Sequence, residues 1–537
     1  MKKFFLSNWP LVVIFLLSFL ITWPVFVPGY FSHHDDLQVM RIFEMRKCFS
    51  DFQIPCRWVP DMGYGNGYPL FNFYGPFAYY LGALVSFILG YIGAAKFLFF
   101  LPLLLGGIGM YYLAKELFGK VPGFTAGVLY LFAPYRALDA YVRGAVGESF
   151  ALALIPFVFF FFFKLIKTRE KRFFVLSALI TFFFFVSHNI MTFIFTPLIV
   201  LWILLWLYEQ NWKGMKLALL SLILAFGLSA FFILPAYFEK GLIQTSGLTT
   251  GELNFRAQFV KVSQLFIDRS WNYGASSPQK EDTISYQIGW PHWWMVAASI
   301  VVFLISKREK DYLLFGFLTL VFVVGVVMTH NKSAPIWESI DLLTFVQFPW
   351  RFLSFAIFSA SILGGFFVAN LPGKWVRAMS VLIVVLSVLL NWQYFRPQYF
   401  YKDVTDETKL SGQSFIDQQK GALLDYLPKT ALEPRELPPK LENFVNKSNS
   451  WSFNAKVEKN AVVEVPVFSF PGWKVNYSQK IGTIGRIAIN LPAGEHIVIG
   501  RFINTPIRTF ANLLTIASFI CLVLVSAKDL KKYEKTD

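Results

Sequence analysis

The chain has 537 residues, 55% of them hydrophobic and 19% aromatic, with a formal net charge of +16. The apolar residues arrive in blocks such as Pro10–Val27, Leu217–Ala236 and Phe510–Ala527, each uncharged and long enough to cross a hydrocarbon core as a helix, which excludes a soluble multidomain protein. Lys and Arg fall in short runs between those blocks, too short to build a folded basic face, so the charge does not indicate nucleic-acid binding.

The basic runs are Lys2–Lys3, Lys115/Lys120, Lys164–Arg172, Lys213/Lys216, Lys307–Lys310, Lys374/Arg377 and Lys528–Lys535. The positive-inside rule places all of them in the cytoplasm. With those anchors the sequence predicts an all-α polytopic protein of the cell membrane with about twelve spans: 9–28, 97–114, 121–136, 149–164, 173–188, 190–207, 217–236, 292–306, 312–329, 353–371, 376–392 and 508–527. Both termini then face the cytoplasm. The apolar stretch 76–92 reads as an interfacial or re-entrant helix, because a full crossing would put Lys115 and Lys120 on the wrong side. No A-x-A-like site follows the first apolar run, so it reads as an anchor and not as a cleaved signal.

This topology leaves stubs inside and places 29–96, 137–148, 237–291, 330–352 and 393–507 outside. All six histidines, at 33, 34, 188, 292, 330 and 496, lie in those segments or at an outer helix end, so the chemistry is expected there. The chain divides into a membrane domain over 1–392 with a large first outer loop, an outer domain over 393–507, and a last span with a basic tail over 508–537. A Pro-rich lead-in (Glu433-Pro434, Leu437-Pro438-Pro439) precedes alternating runs at Ser452–Val457, Ala461–Phe468, Ile484–Leu491 and His496–Phe502. With turns at Phe470-Pro471-Gly472-Trp473 and Pro492-Ala493-Gly494 they predict a small antiparallel β-sandwich. Cys48 and Cys56, eight apart in the first outer loop, leave a disulfide and two unpaired core residues equally open; Cys521 reads as packing inside a span.

Three outer clusters carry candidate chemistry. The first loop opens His33-His34-Asp35-Asp36 and continues through Arg41, Glu44, Arg57-Trp58, Asp61 and Gly63 to Tyr68-Pro69 and Tyr74. Adjacent carboxylates at a membrane boundary are costly unless paired, solvated or functional. They could deprotonate a hydroxyl or ligate a hard cation such as Mg2+ or Mn2+, while Asp36 could equally be a helix N-cap. The second cluster is Arg136, Asp139, Arg143 and Glu148; the third is Gln347-Phe348-Pro349-Trp350-Arg351, where a guanidinium fork suits a phosphate. Ion pairs in a solvated loop and an interfacial Arg are the plain alternatives. His188 and Asn189 end the fifth span and could position a substrate. No metal-ligand spacing, Walker loop, G-x-S-x-G or dinucleotide fingerprint occurs. The span interiors carry no Asp, Glu, Lys, Arg or His, which argues against an ion-coupled transporter.

These residues resemble the bacterial membrane family labelled 6-pyruvoyl-tetrahydropterin-synthase-related, close to the YfhO-type proteins. The resemblance lies in His34-Asp35-Asp36 with Arg41, Pro55-Cys56-Arg57-Trp58-Val59-Pro60-Asp61, and Gly63-Tyr64-Gly65 through Tyr74. It continues in Arg143-Gly144 with Glu148, Ser187-His188-Asn189, Phe348–Phe352, Phe470–Trp473 and Leu491–Gly494 with His496. The label is not a reaction, since the three-histidine zinc pattern of a pterin synthase is missing. What the resemblance implies is the GT-C glycosyltransferase architecture: a sugar taken from a polyprenyl-phosphate carrier at the outer face and given to a glycan, lipid or protein. It implies Asp35 or Asp36 and Glu148 as the acids. Arg351, Arg143, Arg57 and Arg136 would bind phosphate; His34, His188, Asn189 and Tyr68 would position donor or acceptor. Trp451 and Trp473 could hold a glycan or fill a core. The competing expectation is a non-catalytic lipid-linked glycan flippase or envelope assembly factor, whose acids would point apart.

Overall fold

The computed structural model describes residues 2–277, 283–306, 312–421, 426–434 and 441–527; the basic runs Lys307–Lys310 and Lys528–Lys535 and the Leu437-Pro438-Pro439 stretch lie outside them. A helix stands at each of the twelve expected spans. Among the described residues eight are long and apolar enough to cross a membrane, and Asn8–Ile21 and Trp290–Ser306 are shorter apolar helices. Lys120–Leu131 and Lys171–Phe185 are shorter than the spans expected there. The first stops early because Pro134 forces Ala133 into extended geometry; the chain restarts over Pro134–Ala137, winds through a wide π-type turn at Leu138–Arg143 and ends in left-handed Gly144.

Burial sorts the helices. Pro349–Ala369 has 94% of its most apolar stretch buried inside the protein, and Pro506–Ala527 only 11%. The latter turns Phe510, Leu513, Ile516 and Val523 outward at helical spacing, as a lipid-facing helix must. Cys521 shares that exposed surface, so it does not pack inside the span as expected.

The stretch expected to lie along the interface is the first limb of a 42-residue helix, Phe77–Phe118, broken at left-handed Gly90. At its start Phe77 N–H donates to Val186 O at 3.2 Å. At the break, Asp406 accepts from the N–H groups of Tyr91 and Ile92, 2.8 Å each, and so caps the second limb. Both ends of the limb are therefore held by distant parts of the chain, while Phe87, Ile88 and Leu89 stay exposed.

The carboxy-terminal segment folds into antiparallel sheets. β1 (Tyr30–Phe31) pairs with β2 (Phe400–Tyr401), tying the first loop to this segment. β3 (Val445–Asn446), β4 (Ser450–Val457), β9 (Gly494–Phe502) and β6 (Trp473–Val475) form one sheet; β5 (Ala461–Phe468), β8 (Arg486–Leu491) and β7 (Gln479–Ile481) form the other. Trp451, Phe453 and Val498 join Val465, Val467 and Ile489 in one core. Trp451 and Trp473 are buried with ring centroids 6.2 Å apart, so they fill that core and are not a glycan platform. Cys48 and Cys56 form a disulfide, Cα to Cα 5.7 Å, which closes the first loop.

A buried ion pair joins loop, bundle and sheets. Arg508 Nε donates to Glu239 Oε2 at 2.9 Å; Asn72 and Thr505 also donate to Glu239, and Arg508 Nη1 donates to Pro471 O. Removing one partner from such a pair costs about 3–5 kcal/mol because the other stays buried and uncompensated. Arg508→Met is therefore expected to lower thermal stability in detergent by that order, and Glu239→Gln with Arg508→Met by less than the two single losses combined; a double-mutant cycle of unfolding midpoints checks it.

Candidate functional site

The site forms where the first two outer-predicted loops bond to each other. His34 N–H donates to Val142 O at 2.9 Å and Asp35 N–H to Arg143 O at 3.0 Å. Gln38 Nε2 adds a bond to Gly144 O at 2.8 Å. Gly144 has φ +68°, and a Cβ on it would lie 2.0 Å from His33 Cδ2, so only glycine allows this approach. Sequence neighbours of two different loops thus become one layer.

Above that layer opens a cavity of about 800 Å3. Asp35, Asp36, Glu148, Arg143, Arg351, His34, His188 and Tyr68 all line it. The Asp35, Asp36 and Glu148 carboxylates each meet a cation. Arg41 Nη1 donates to Asp35 Oδ2 at 2.6 Å, while the same guanidinium lies 4.7 Å from the Tyr74 ring centroid and bonds the Tyr79 hydroxyl. Lys409, from the carboxy-terminal segment, reaches Asp36 Oδ2 at 2.6 Å. Of the two roles open to Asp36 the helix N-cap is not the one taken: the helix begins at Gln38 after Leu37, with no side-chain cap.

Glu148 is fully buried. Its Oε2 accepts from Arg143 Nη1 at 2.9 Å and Arg351 Nε at 3.3 Å, and its Oε1 from the Tyr135 hydroxyl. Arg143 also bonds Asp139 and lies 4.6 Å from the Trp350 ring centroid; Arg351 lies 4.8 Å from that of Phe348. Gln347 holds Arg351 Nη1 at 3.2 Å from a left-handed backbone, φ +65°, and its own amide bonds Leu248 O. A non-glycine residue kept in that region marks a position fixed by its surroundings. Among the described residues these bonds use Nε and Nη1 of Arg351 and Nη1 of Arg143, leaving the Nη2 groups for a further anion.

His188 lies between two helices and caps the second, its Nδ1 accepting from Met191 N–H at 3.2 Å. Burial pushes its imidazole down to about 3, against Glu148 and assisted by Arg351 and Arg143, so it is neutral at ordinary pH. His34 Nε2 bonds Tyr273 O at 2.9 Å and joins the cavity wall to the 237–291 segment.

Three expected site residues lie elsewhere. Arg57 spends its guanidinium on Asn72, Phe231 O and Asn512, fastening the first loop to the last helix. Arg136 is buried against Tyr130, donates to Pro102 O and sits where Gly106 leaves room, so it is a packing element of the bundle. Asn189 donates to Phe73 O at 2.7 Å and does not reach the cavity. Conversely Lys409, Tyr135 and Gln38 belong to the site without any local signal. The other supporting residues, Arg41, Tyr74, Asp139, Gln347, Phe348 and Trp350, stand in the same three sequence clusters as the groups they hold.

For a divalent cation the donor set fits poorly. Among the described residues no three His, Cys, Asp or Glu side chains group as ligands. Each cavity carboxylate discussed above already meets a cation.

Residues 71–398, more than half the chain, match the family described as 6-pyruvoyl-tetrahydropterin synthase related domain, a membrane protein family. The chain belongs to this family. An uncharacterized protein of Lactococcus lactis subsp. cremoris is 25% identical over 236 residues, 42% of this chain and 38% of that relative, so the alignment spans well under half of the relative's length. Among solved structures, the mycobacterial arabinofuranosyltransferase AftD is 16% identical with a TM-score of 0.45, over 77% of this chain and 30% of AftD. An Archaeoglobus fulgidus oligosaccharyltransferase is 12% identical with a TM-score of 0.44, over 82% of this chain and 62% of that one. ArnT from Cupriavidus metallidurans is 16% identical with a TM-score of 0.30, over 67% and 77%.

A histidine neutral in the folded state but ordinary when unfolded makes the unfolded chain the better proton binder between about 3 and 6.5. The stability that wild type holds over His188→Gln is expected to rise with pH across that window and flatten above it. Paired thermal unfolding curves from pH 4 to 8 check the slope.

Proposed function

We propose that this protein is a membrane glycosyltransferase that moves a sugar from a polyprenyl-phosphate-linked donor to an envelope glycan, lipid or protein acceptor at the outer membrane face. The observation that carries the reading is the convergence of the Asp35–Asp36 pair and the Arg143–Glu148–Arg351 cluster on one cavity. A cavity of about 800 Å3 lies within the range that encloses a small organic ligand.

In this reading Arg351 and Arg143 take the donor phosphate with their unused Nη2 groups, and stacking on Phe348 and Trp350 keeps both guanidinium planes fixed. The acceptor hydroxyl oxygen bonds the anomeric carbon while the bond from that carbon to the phosphate oxygen breaks. The electron pair leaves with the phosphate, whose growing charge the arginines stabilise. Asp35, held by Arg41 and Gln38, orients the hydroxyl and receives its proton. Glu148 is a positioning residue: it touches the arginines and aims them. Asp36 and Lys409 form the wall beside the acceptor. Because Asp35, Asp36 and Glu148 are already cation-paired, transfer is proposed to run without added Mg2+ or Mn2+.

That same pairing at rest favours a second reading, a lipid-linked glycan flippase or envelope assembly factor that keeps the cavity without transfer. Radiolabelled polyprenyl-phosphate sugars offered to purified wild type, Asp35→Asn, Asp36→Asn and Glu148→Gln separate the two. Loss of transfer by about a hundredfold or more in Asp35→Asn, with donor binding kept, is the expected result. Donor binding by all four proteins with no transfer by any, with or without the metals, would move the second reading ahead.

A further inference from the structure

The helices that carry the first cavity carry a second one at their far ends. Val146–Thr168 holds Glu148 near its start and Lys167 near its end, about 28 Å apart at helical rise, close to one hydrocarbon thickness. Asn189–Glu209 runs likewise from beside His188 to Trp206 and Glu209, and the helix after Arg351 ends in Ala369 beside Asn370. The far cavity is about 310 Å3, lined by Glu116, Lys167, Trp206, Glu209, Phe366 and Asn370 among others.

Its polar groups are unevenly used. Glu116 is taken by Lys164 at 2.7 Å. Glu209 and Lys167, opposite in charge, have no ion-pair partner among the described residues; Lys167 only overlies the Phe163 ring at 5.0 Å. Among the described residues the indole N–H of Trp206 and the amide oxygen of Asn370 are buried without a partner, which is costly unless something satisfies them. Exposed Tyr208, Trp212 and Tyr312 surround this end of the bundle, the residue types that settle at headgroup depth.

We infer that this cavity binds the head group of a zwitterionic phospholipid with a primary ammonium, in the leaflet opposite the first cavity. Lys167 meets the phosphate and Glu209 accepts from the ammonium, and a small side-chain shift at the wall brings the buried Trp206 N–H to the phosphate and the Asn370 oxygen to the ammonium. One unpaired anion and one unpaired cation suit a neutral head group with separated poles better than an anionic one. The two acceptors need N–H donors, which a quaternary ammonium lacks. Apolar residues of the wall, Phe366 among them, meet the glycerol and first methylenes. The inference rests on no part of the glycosyltransferase reading.

The full chain in nanodiscs of equal parts phosphatidylethanolamine, phosphatidylcholine and phosphatidylglycerol with matched acyl chains tests it, with retained lipid counted by native mass spectrometry. Wild type is expected to retain phosphatidylethanolamine roughly tenfold over either competitor, equivalent to about 1.4 kcal/mol. Glu209→Gln and Lys167→Gln, both exposed and so tolerant of substitution, should each bring the three lipids within about twofold of one another. Equal retention by wild type overturns the inference, as does a preference that survives both substitutions, since the lipid would then sit elsewhere.

Discussion

A carboxylate sealed from water must be matched by cations, and Glu148 is matched by two that come from different parts of the chain. Arg143 belongs to the turn just before its helix, and Arg351 to a segment some two hundred residues later. Satisfying one buried charge therefore pins the start of Val146–Thr168, the π-type turn and the start of the most buried helix to a common point. Arg143 O also receives the backbone N–H of Asp35, so the position of the aspartate pair follows from the same constraint. Trp350 and Phe348 stack on the two guanidinium groups and exclude water from their faces, which strengthens the interaction.

The bundle was legible in the sequence because hydrocarbon leaves no choice: an apolar block without charges has to be a helix. Its ends were less so. The third span was expected to reach 136, yet Pro134 acts on Ala133 and ends the helix at Leu131. The long strands were visible by alternation, whereas β3, β6 and β7, at two or three residues, are too short for a period to register.

For the site, the rule that charge beside hydrocarbon needs a reason brought out Asp35, Asp36, Glu148, Arg143 and Arg351, which share one cavity. The same rule also selected Arg57 and Arg136, whose charges are absorbed by packing and carbonyl groups. Position along a chain tells how deep a residue lies but not which side of its helix it leaves from, so in sequence these two arginines look the same as Arg143 and Arg351. Lys409 and Tyr135 were invisible for the opposite reason: nothing near them in sequence is unusual, and only the fold gives them carboxylate partners.

The pairing of Tyr30–Phe31 with Phe400–Tyr401 couples the two ends of the cavity wall across some 370 residues. A ribosome makes those strands far apart in time. The first loop, with its paired aspartates, reaches its compartment long before Lys409 exists to neutralise Asp36 or Asp406 to cap the broken helix. Until then its edge strand and acidic pair stay open to other partners, a hazard for any strand left unpaired. The cavity is consequently among the last parts of the molecule to be completed, and a nascent chain that has inserted most of its helices still has no finished site.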